Sequence, residues 1–271
     1  EDPRECFEFT ADALDLADRL QTPVFVMTDL DIGMNHRLCK PFAWDENRVL
    51  DRGKVMTAAD LDAGKTFGRY LDVDGDGIPF RTYPGTHPTK GSYFTRGTTK
   101  DEFARYSEEG PVYVRNMERL QKKFRTAADL VPQPMVRQAA QPSRHGVIYF
   151  GSTSPAMREA LDVLEAEGVH LDAMRLLAFP FPQSVADFIE AHDKVFVVEQ
   201  NRDAMPRFVC TSPTAPQRCN LPLLRGVLSF SVCPSDTASP AMPLCQPLPT
   251  RAAIRFVAFA VDVLFLIPVA L

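Results

Sequence analysis

The sequence predicts an α/β fold with a mainly parallel sheet. Three observations carry that expectation. Residues 145–198 alternate short apolar runs with amphipathic stretches in the order strand, helix, strand, helix, strand. Val24-Phe-Val-Met27 is a continuous apolar run, as suits a strand buried on both faces. The apolar fraction of 45% in 271 residues is enough for a core, in one large domain or two of ordinary size.

Taken in order, residues 5–20 place Phe7, Ala11, Leu14, Ala17 and Leu20 at helical spacing, and Gln21-Thr-Pro23 stops the helix. The Val24–Met27 strand follows, with Asp29 and Asp31 at its carboxyl end, the edge where open α/β sheets bind ligands. Thr57-Ala-Ala-Asp60-Leu61 reads as a short capped helix. Leu71 to Thr99 is rich in Gly, Pro, Asp and Thr and reads as long loops, of the kind that carry function or lie against another subunit. Pro111 to Leu130 is helical, with Lys122, Lys123 and Arg125 near its C-terminal end, where cations suit the dipole. Val131 to Pro142 is a polar, proline-bearing linker.

After the linker, His145 to Phe150 is a strand that enters Gly151-Ser-Thr-Ser-Pro155, and Pro155 fits a first helical turn. The next helix carries Met157, Ala160, Leu161 and Leu164 and ends at Gly168. His170 to Leu177 is a second strand, Gln183 to Ala191 a second helix with Val185, Phe188 and Ile189 facing in, and Lys194 to Val198 a third strand.

A seam lies near Met205. Residues 206–271 hold 4 of the 6 cysteines and 10 of the 23 prolines but only 7 charged residues, with no Lys, Glu or Tyr. Residues 1–205 carry 25 basic and 33 acidic residues, hence −8; the tail carries 5 and 2, hence +3. A −8 body without a basic stripe argues against nucleic acid as a partner. Cys6 and Cys39 alone make no disulfide framework, so the body reads as reduced and cytoplasmic. Phe256 to Leu271 is apolar but contains Asp262 and Pro268 and is short for a bilayer span, so no membrane is expected.

Several motifs have a functional and a structural reading. Asp72-Val-Asp74-Gly-Asp76-Gly77 matches half a calcium loop, but Tyr83 stands where the closing carboxylate belongs, and a tight acidic turn is expected. Gly151-Ser-Thr-Ser could cradle an anion; a cap by Ser152 or Ser154 is favoured. His36 with Cys39 lacks a second ligand pair, so no metal is expected. His87, Arg81 and Arg96, with Thr82, Thr95 and Thr98, could hold a carboxylate or phosphate, or could tie the loop to itself or to a neighbouring subunit. Glu199 and Asn201 close the last strand as site residues or as turn caps.

Four separated segments carry a family resemblance: Gln21 to Asn35, Arg69 to Pro88, Tyr93 to Gly97, and Val195 to Asp203. In order and in sequence they resemble the alpha subunit of 2-oxoacid:ferredoxin oxidoreductases, and the 2-oxoglutarate type in particular. The resemblance implies that residues 1–130 are the C-terminal part of a pyrimidine-type thiamine-diphosphate-binding domain. It implies a linker over 131–142 and a transketolase C-terminal-like α/β domain over 143–204. Residues 205–271 depart from the family as an irregular tail. A reading-frame change in a high-GC gene would produce such a tail, and a locus in which no other frame restores family-like residues after Asp203 would reject that origin.

The implied reaction is oxidative decarboxylation of a 2-oxoacid to an acyl-CoA with reduction of ferredoxin. Thiamine diphosphate, Mg2+ and an iron–sulfur cluster belong to the complete complex, mainly through a beta subunit, and none is expected on this chain alone. The implied partners are that beta subunit, ferredoxin and coenzyme A. The family's catalytic residues lie upstream of the region matching Glu1, so a partial subunit, inactive alone, is expected. Asp29, Asp31, Asn35, Arg81, His87, Thr95 and Arg96 are the interface or substrate-proximal candidates. The alternatives are a non-catalytic module that docks a beta subunit, and a fragment of a transketolase-type thiamine enzyme.

Overall fold

The computed structural model describes residues 1–91, 97, 99–199, 227–231 and 265–266. The chain divides into two compact units. One comprises Glu1–Cys6, Met27–Pro41 and Pro132–Leu264; the other comprises Phe7–Val26, Phe42–Val131 and Phe265–Leu271.

The first unit is built on a sheet of strands β2 (Met135–Arg137), β3 (His145–Phe150), β4 (Asp172–Leu176), β5 (Lys194–Glu199) and β6 (Val227–Ser231). Their order is β2-β4-β3-β5-β6; β2 runs antiparallel to β4 and the other pairs are parallel. Helix α5 (Ser154–Ala166) links β3 to β4, and α6 (Gln183–Glu190) links β4 to β5.

Period-two alternation explains why these strands read as unbroken apolar runs. Ile148, Phe150, Met174, Leu176, Val195 and Val197 point to one face and pack with Val185, Phe188 and Ile189 of α6. Val147, Tyr149 and Ala173 point to the other and pack with Met157 and Leu161 of α5. A sheet covered on both faces has no solvent side to demand polar residues.

Two features of this unit differ from the expectation. The stretch read as a linker contains β2, an edge strand that pairs Met135–Arg137 with Ala173–Arg175. The tail contributes β6, which extends the parallel order beside β5. A third difference is local. The N-cap of α5 is Thr153, which makes no side-chain capping hydrogen bond, and the Ser154 hydroxyl donates instead to the Gly151 carbonyl at 2.7 Å.

Two helices dominate the second unit. In α1 (Pro3–Leu20) the buried residues are Phe9, Ala13, Leu16 and Leu20, while Leu14, expected inside, is 68% exposed. The apolar residues of this helix lie on several faces, and packing selected a stripe at positions 9, 13, 16 and 20. Helix α4 (Gly110–Ala128) buries Val112, Ala127 and Ala128. Short α3 (Ala58–Asp62) begins with a capping box between Thr57 and Asp60, as its sequence indicates.

Val24–Met27 is not a buried parallel strand. Only Phe25–Val26 forms a strand, β1, which pairs antiparallel with β7 (Phe265–Leu266), and Phe25 is 49% exposed. An apolar run alone does not name its partner, and here the partner comes from the other end of the chain.

Ion pairs hold the loops between these helices. Arg48 bridges Asp12 at 2.9 Å and Asp15 at 2.7 Å. The acidic turn is closed by protein groups. Asp72 Oδ1 accepts from the Gly75 and Gly77 amides at 2.9 and 3.0 Å, and Lys54 Nζ lies 2.7 Å from both Asp74 and Asp76. A lysine seated among the carboxylates is the arrangement of a structural turn.

Candidate functional site

The candidates fall in both units. In the first, Asp29 caps the short helix α2 (Leu30–Met34): its Oδ1 accepts from the Ile32 amide at 2.8 Å. Its Oδ2 is buried with no hydrogen-bond partner among the described residues. Burial pushes the Asp29 carboxyl up from its ordinary range, opposed by the Ile32 amide and by the charge of Arg37. Asp31 is committed elsewhere. It pairs with Arg37 and accepts from the Asn35 amide group at 3.2 Å. Asn35 also closes the helix, its backbone N–H reaching the Asp31 carbonyl at 3.2 Å. Of the two carboxylates, Asp29 alone holds a buried oxygen in reserve among the described residues.

In the second unit Arg81 lies 3.1 Å from Asp18 and donates to the Arg52 carbonyl at 2.8 Å. Its guanidinium stands 5.3 Å over the Tyr83 ring, and its Nε is buried without a hydrogen-bond partner. The hydrogen bond from Arg52 holds the Asp18 carboxyl below its usual range; burial opposes it, and the Arg81 hydrogen bond adds to the lowering.

His87 Nδ1 faces the amides of Thr89 at 3.0 Å and Lys90 at 2.9 Å, so it accepts. The ring proton is thereby assigned to Nε2, which donates to Asp62 at 3.1 Å. Lys90 reaches the same carboxylate at 3.1 Å. His87 thereby ties Thr89, Lys90 and Asp62 together within the second unit. Thr95, Arg96 and Asn201 lie outside the described residues.

One group escaped the sequence reading. Lys123 was expected as an exposed cation that answers the helix dipole. Instead burial, and next the charges of Arg119 and Arg69, lower its ammonium to about 8. Its partner is the Gln21 carbonyl at 3.4 Å. Among the described residues no three His, Cys, Asp or Glu side chains are grouped to hold a metal ion, and no helix is long and apolar enough to cross a membrane. Among the described residues, Cys6 and Cys39 form no disulfide. These residues do not make a metal or cluster site.

No protein-family model matches the sequence. Among curated proteins it is 29% identical over 203 residues to 2-oxoacid:ferredoxin oxidoreductase 2, subunit alpha, of Aeropyrum pernix, covering 73% of this chain and 30% of that one. It is 25% identical over 205 residues to the alpha subunit of 2-oxoacid:ferredoxin oxidoreductase 1 of Sulfurisphaera tokodaii, covering 74% and 31%. The chain resembles 2-oxoacid:ferredoxin oxidoreductase alpha subunits. It spans about three tenths of the length of these alpha-subunit relatives.

The fold likeness agrees. A solved 2-oxoglutarate:ferredoxin oxidoreductase from Magnetococcus marinus, with 2-oxoglutarate, coenzyme A and succinyl-CoA bound, aligns with a TM-score of 0.67 at 22% identity. The alignment covers 85% of this chain and 38% of that one.

Proposed function

We propose that this chain works as part of the alpha subunit of a thiamine-dependent 2-oxoacid:ferredoxin oxidoreductase, with 2-oxoglutarate as the oxoacid. The similarity to alpha subunits over 203 residues carries the reading. Residues 1–130 are assigned to the pyrimidine-type thiamine domain and 143–204 to the transketolase C-terminal-like domain. Thiamine diphosphate, when bound in the complete complex, supplies the electron sink for decarboxylation. Magnesium and an iron–sulfur cluster are assigned mainly to a beta subunit, and coenzyme A and ferredoxin to the complex, in the cytoplasm.

The part played by this chain's own residues is docking and positioning. Around Asp31 and Asn35 the apolar side chains of Leu30, Met34 and Leu38 are all strongly exposed, which supports a protein-facing surface there. Arg81, fixed by Asp18 and the Arg52 carbonyl, presents a guanidinium whose fork matches a carboxylate. Thr95 and Arg96 are proposed from the sequence alone as further interface or substrate-proximal residues.

An assay with 2-oxoglutarate, coenzyme A and a viologen dye tests the proposal. The chain alone should give no turnover, and dye reduction should appear only when the chain is joined to the upstream part of an alpha subunit and combined with a matching beta subunit. Turnover without a partner would contradict the shared site. Co-purification of that completed alpha subunit with the beta subunit, still without activity, would reassign the chain as a docking module.

A further inference from the structure

Three cations meet in the second unit without a carboxylate to pair with. Arg69 and Arg119 hold their guanidinium carbons 5.3 and 5.5 Å from the centre of one ring, that of Tyr70. Lys123, one turn beyond Arg119 on α4, joins them through Gln21: the Gln21 carbonyl accepts from Lys123 at 3.4 Å and its Oε1 from Arg69 at 2.6 Å. The remaining partners are neutral as well. Arg119 donates to the Gly77 carbonyl at 3.0 Å and to Asn116 Oδ1 at 3.1 Å. None of the three cations forms an ion pair among the described residues.

The neighbouring charges do not supply the missing balance. Arg81, near Arg69, adds positive charge and already has Asp18. Asp72 acts weakly on Arg119 and is occupied by two amides and by Lys122 at 3.1 Å.

Gln21, the residue that joins Lys123 to Arg69, sits at φ 51 as the left-handed stop of α1, with the Thr22 amide reaching back to the Ala17 carbonyl at 3.2 Å. Its side chain is pinned from both ends, with Nε2 donating to the Pro79 carbonyl at 2.5 Å and Oε1 accepting from Arg69. All three cations are half-buried, so solvent and small ions reach them while water screens them poorly. Like charges concentrated in that setting, with donors to spare, call for an anion. Two planar guanidinium forks and one ammonium suit the oxygens of a phosphate group.

We propose that Arg69, Arg119 and Lys123 form a binding site for a phosphate-type oxyanion. The proposal does not depend on the oxidoreductase reading, since it concerns groups of one unit whatever reaction the chain serves.

The test follows the Lys123 side-chain NMR signal of the labelled full chain from neutral to alkaline pH, in chloride and then in inorganic phosphate at equal ionic strength. In chloride Lys123 should titrate at about 8, and phosphate should raise that midpoint, because a bound anion favours the charged amine. Lys122, which already has Asp72, should not move. Isothermal titration with phosphate should show binding to the native chain weakened about tenfold or more in Lys123→Met and in Arg119→Gln. A Lys123 midpoint indifferent to phosphate would overturn the site even if a variant failed to fold. Equal phosphate affinity in native and folded variant chains would do the same.

Discussion

Replacing Arg175 by methionine is expected to cost the sheet unit about 2 kcal/mol, in the range for losing hydrogen bonds to a charged group. Arg175 lies on β4 with only 8% of its side chain exposed, opposite Met135 of the edge strand. Its Nη2 lies 2.5 Å from Glu5, and its Nη1 lies 3.4 Å from Glu1 and 3.7 Å from the Met135 sulfur. The substitution fills a similar volume, so the cost comes from Glu5, whose side chain is 16% exposed and would keep only the amino group of Glu1 as a cationic partner. Glu1 would keep Arg158 at 2.5 Å.

A second substitution separates charge from shape. Arg175→Met combined with Glu5→Leu should recover most of the loss, because Arg175 Nε is itself buried without a partner among the described residues and the native pair is imperfectly compensated. Urea unfolding of the two variants reads the difference. A single variant as stable as the native chain, or a double variant no better than the single, would show that this pair is not what the burial implies.

How much of this was legible in the sequence depends on how local the cause is. The β3-α5-β4-α6-β5 order was readable because each strand is flanked on both faces by its own neighbouring helices. Val147 and Ile148 point opposite ways, yet both had to be apolar. The phase of α1 was not readable, since Phe7, Phe9, Leu14 and Leu16 offer apolar atoms on more than one face and only the packed loops decide among them. The edges were least readable: β2 is three residues in a polar stretch, and β1 pairs with residues 265–266, a distant segment that no local pattern announces.

The site divides in the same way. Asp29 stood out as a carboxylate after an apolar run, and the structure leaves it a buried, unpartnered oxygen. His87 stood out as a histidine among arginines and threonines, but two backbone amides three and two residues on consume its Nδ1. Lys123 looked like one of three ordinary helix-end cations. What distinguishes it is Gln21 and the Gly77 turn, both remote in sequence, so its burial was invisible before the fold.

The Gly77 turn carries the other large expected effect. Gly77→Ala should destabilise the second unit by about 3 kcal/mol, whereas Gly75→Ala, two residues away, should cost about 1 kcal/mol. Both glycines have positive φ, 78 at Gly75 and 80 at Gly77, so the left-handed backbone penalty is common to both. They differ in what a methyl would meet. At Gly75 the nearest atom is the mobile Lys122 Nζ at 3.6 Å. At Gly77 the methyl would stand 2.3 Å from the Lys123 amide nitrogen, 2.7 Å from the Arg119 carbonyl oxygen and 2.8 Å from the Lys123 Cα.

Those three atoms are helix backbone and cannot turn aside as a side chain can, so α4 or the turn must shift. The shift would also pull Arg119 from the Gly77 carbonyl and the Thr126 hydroxyl from the Asp76 carbonyl, bonds of 3.0 and 2.7 Å. Amide hydrogen exchange along α4 gives the sharper reading, because protection there should fall in Gly77→Ala and persist in Gly75→Ala. Equal losses in the two variants would mean that backbone conformation alone sets the cost, and that the turn does not press against the helix as closely as 2.3 Å requires.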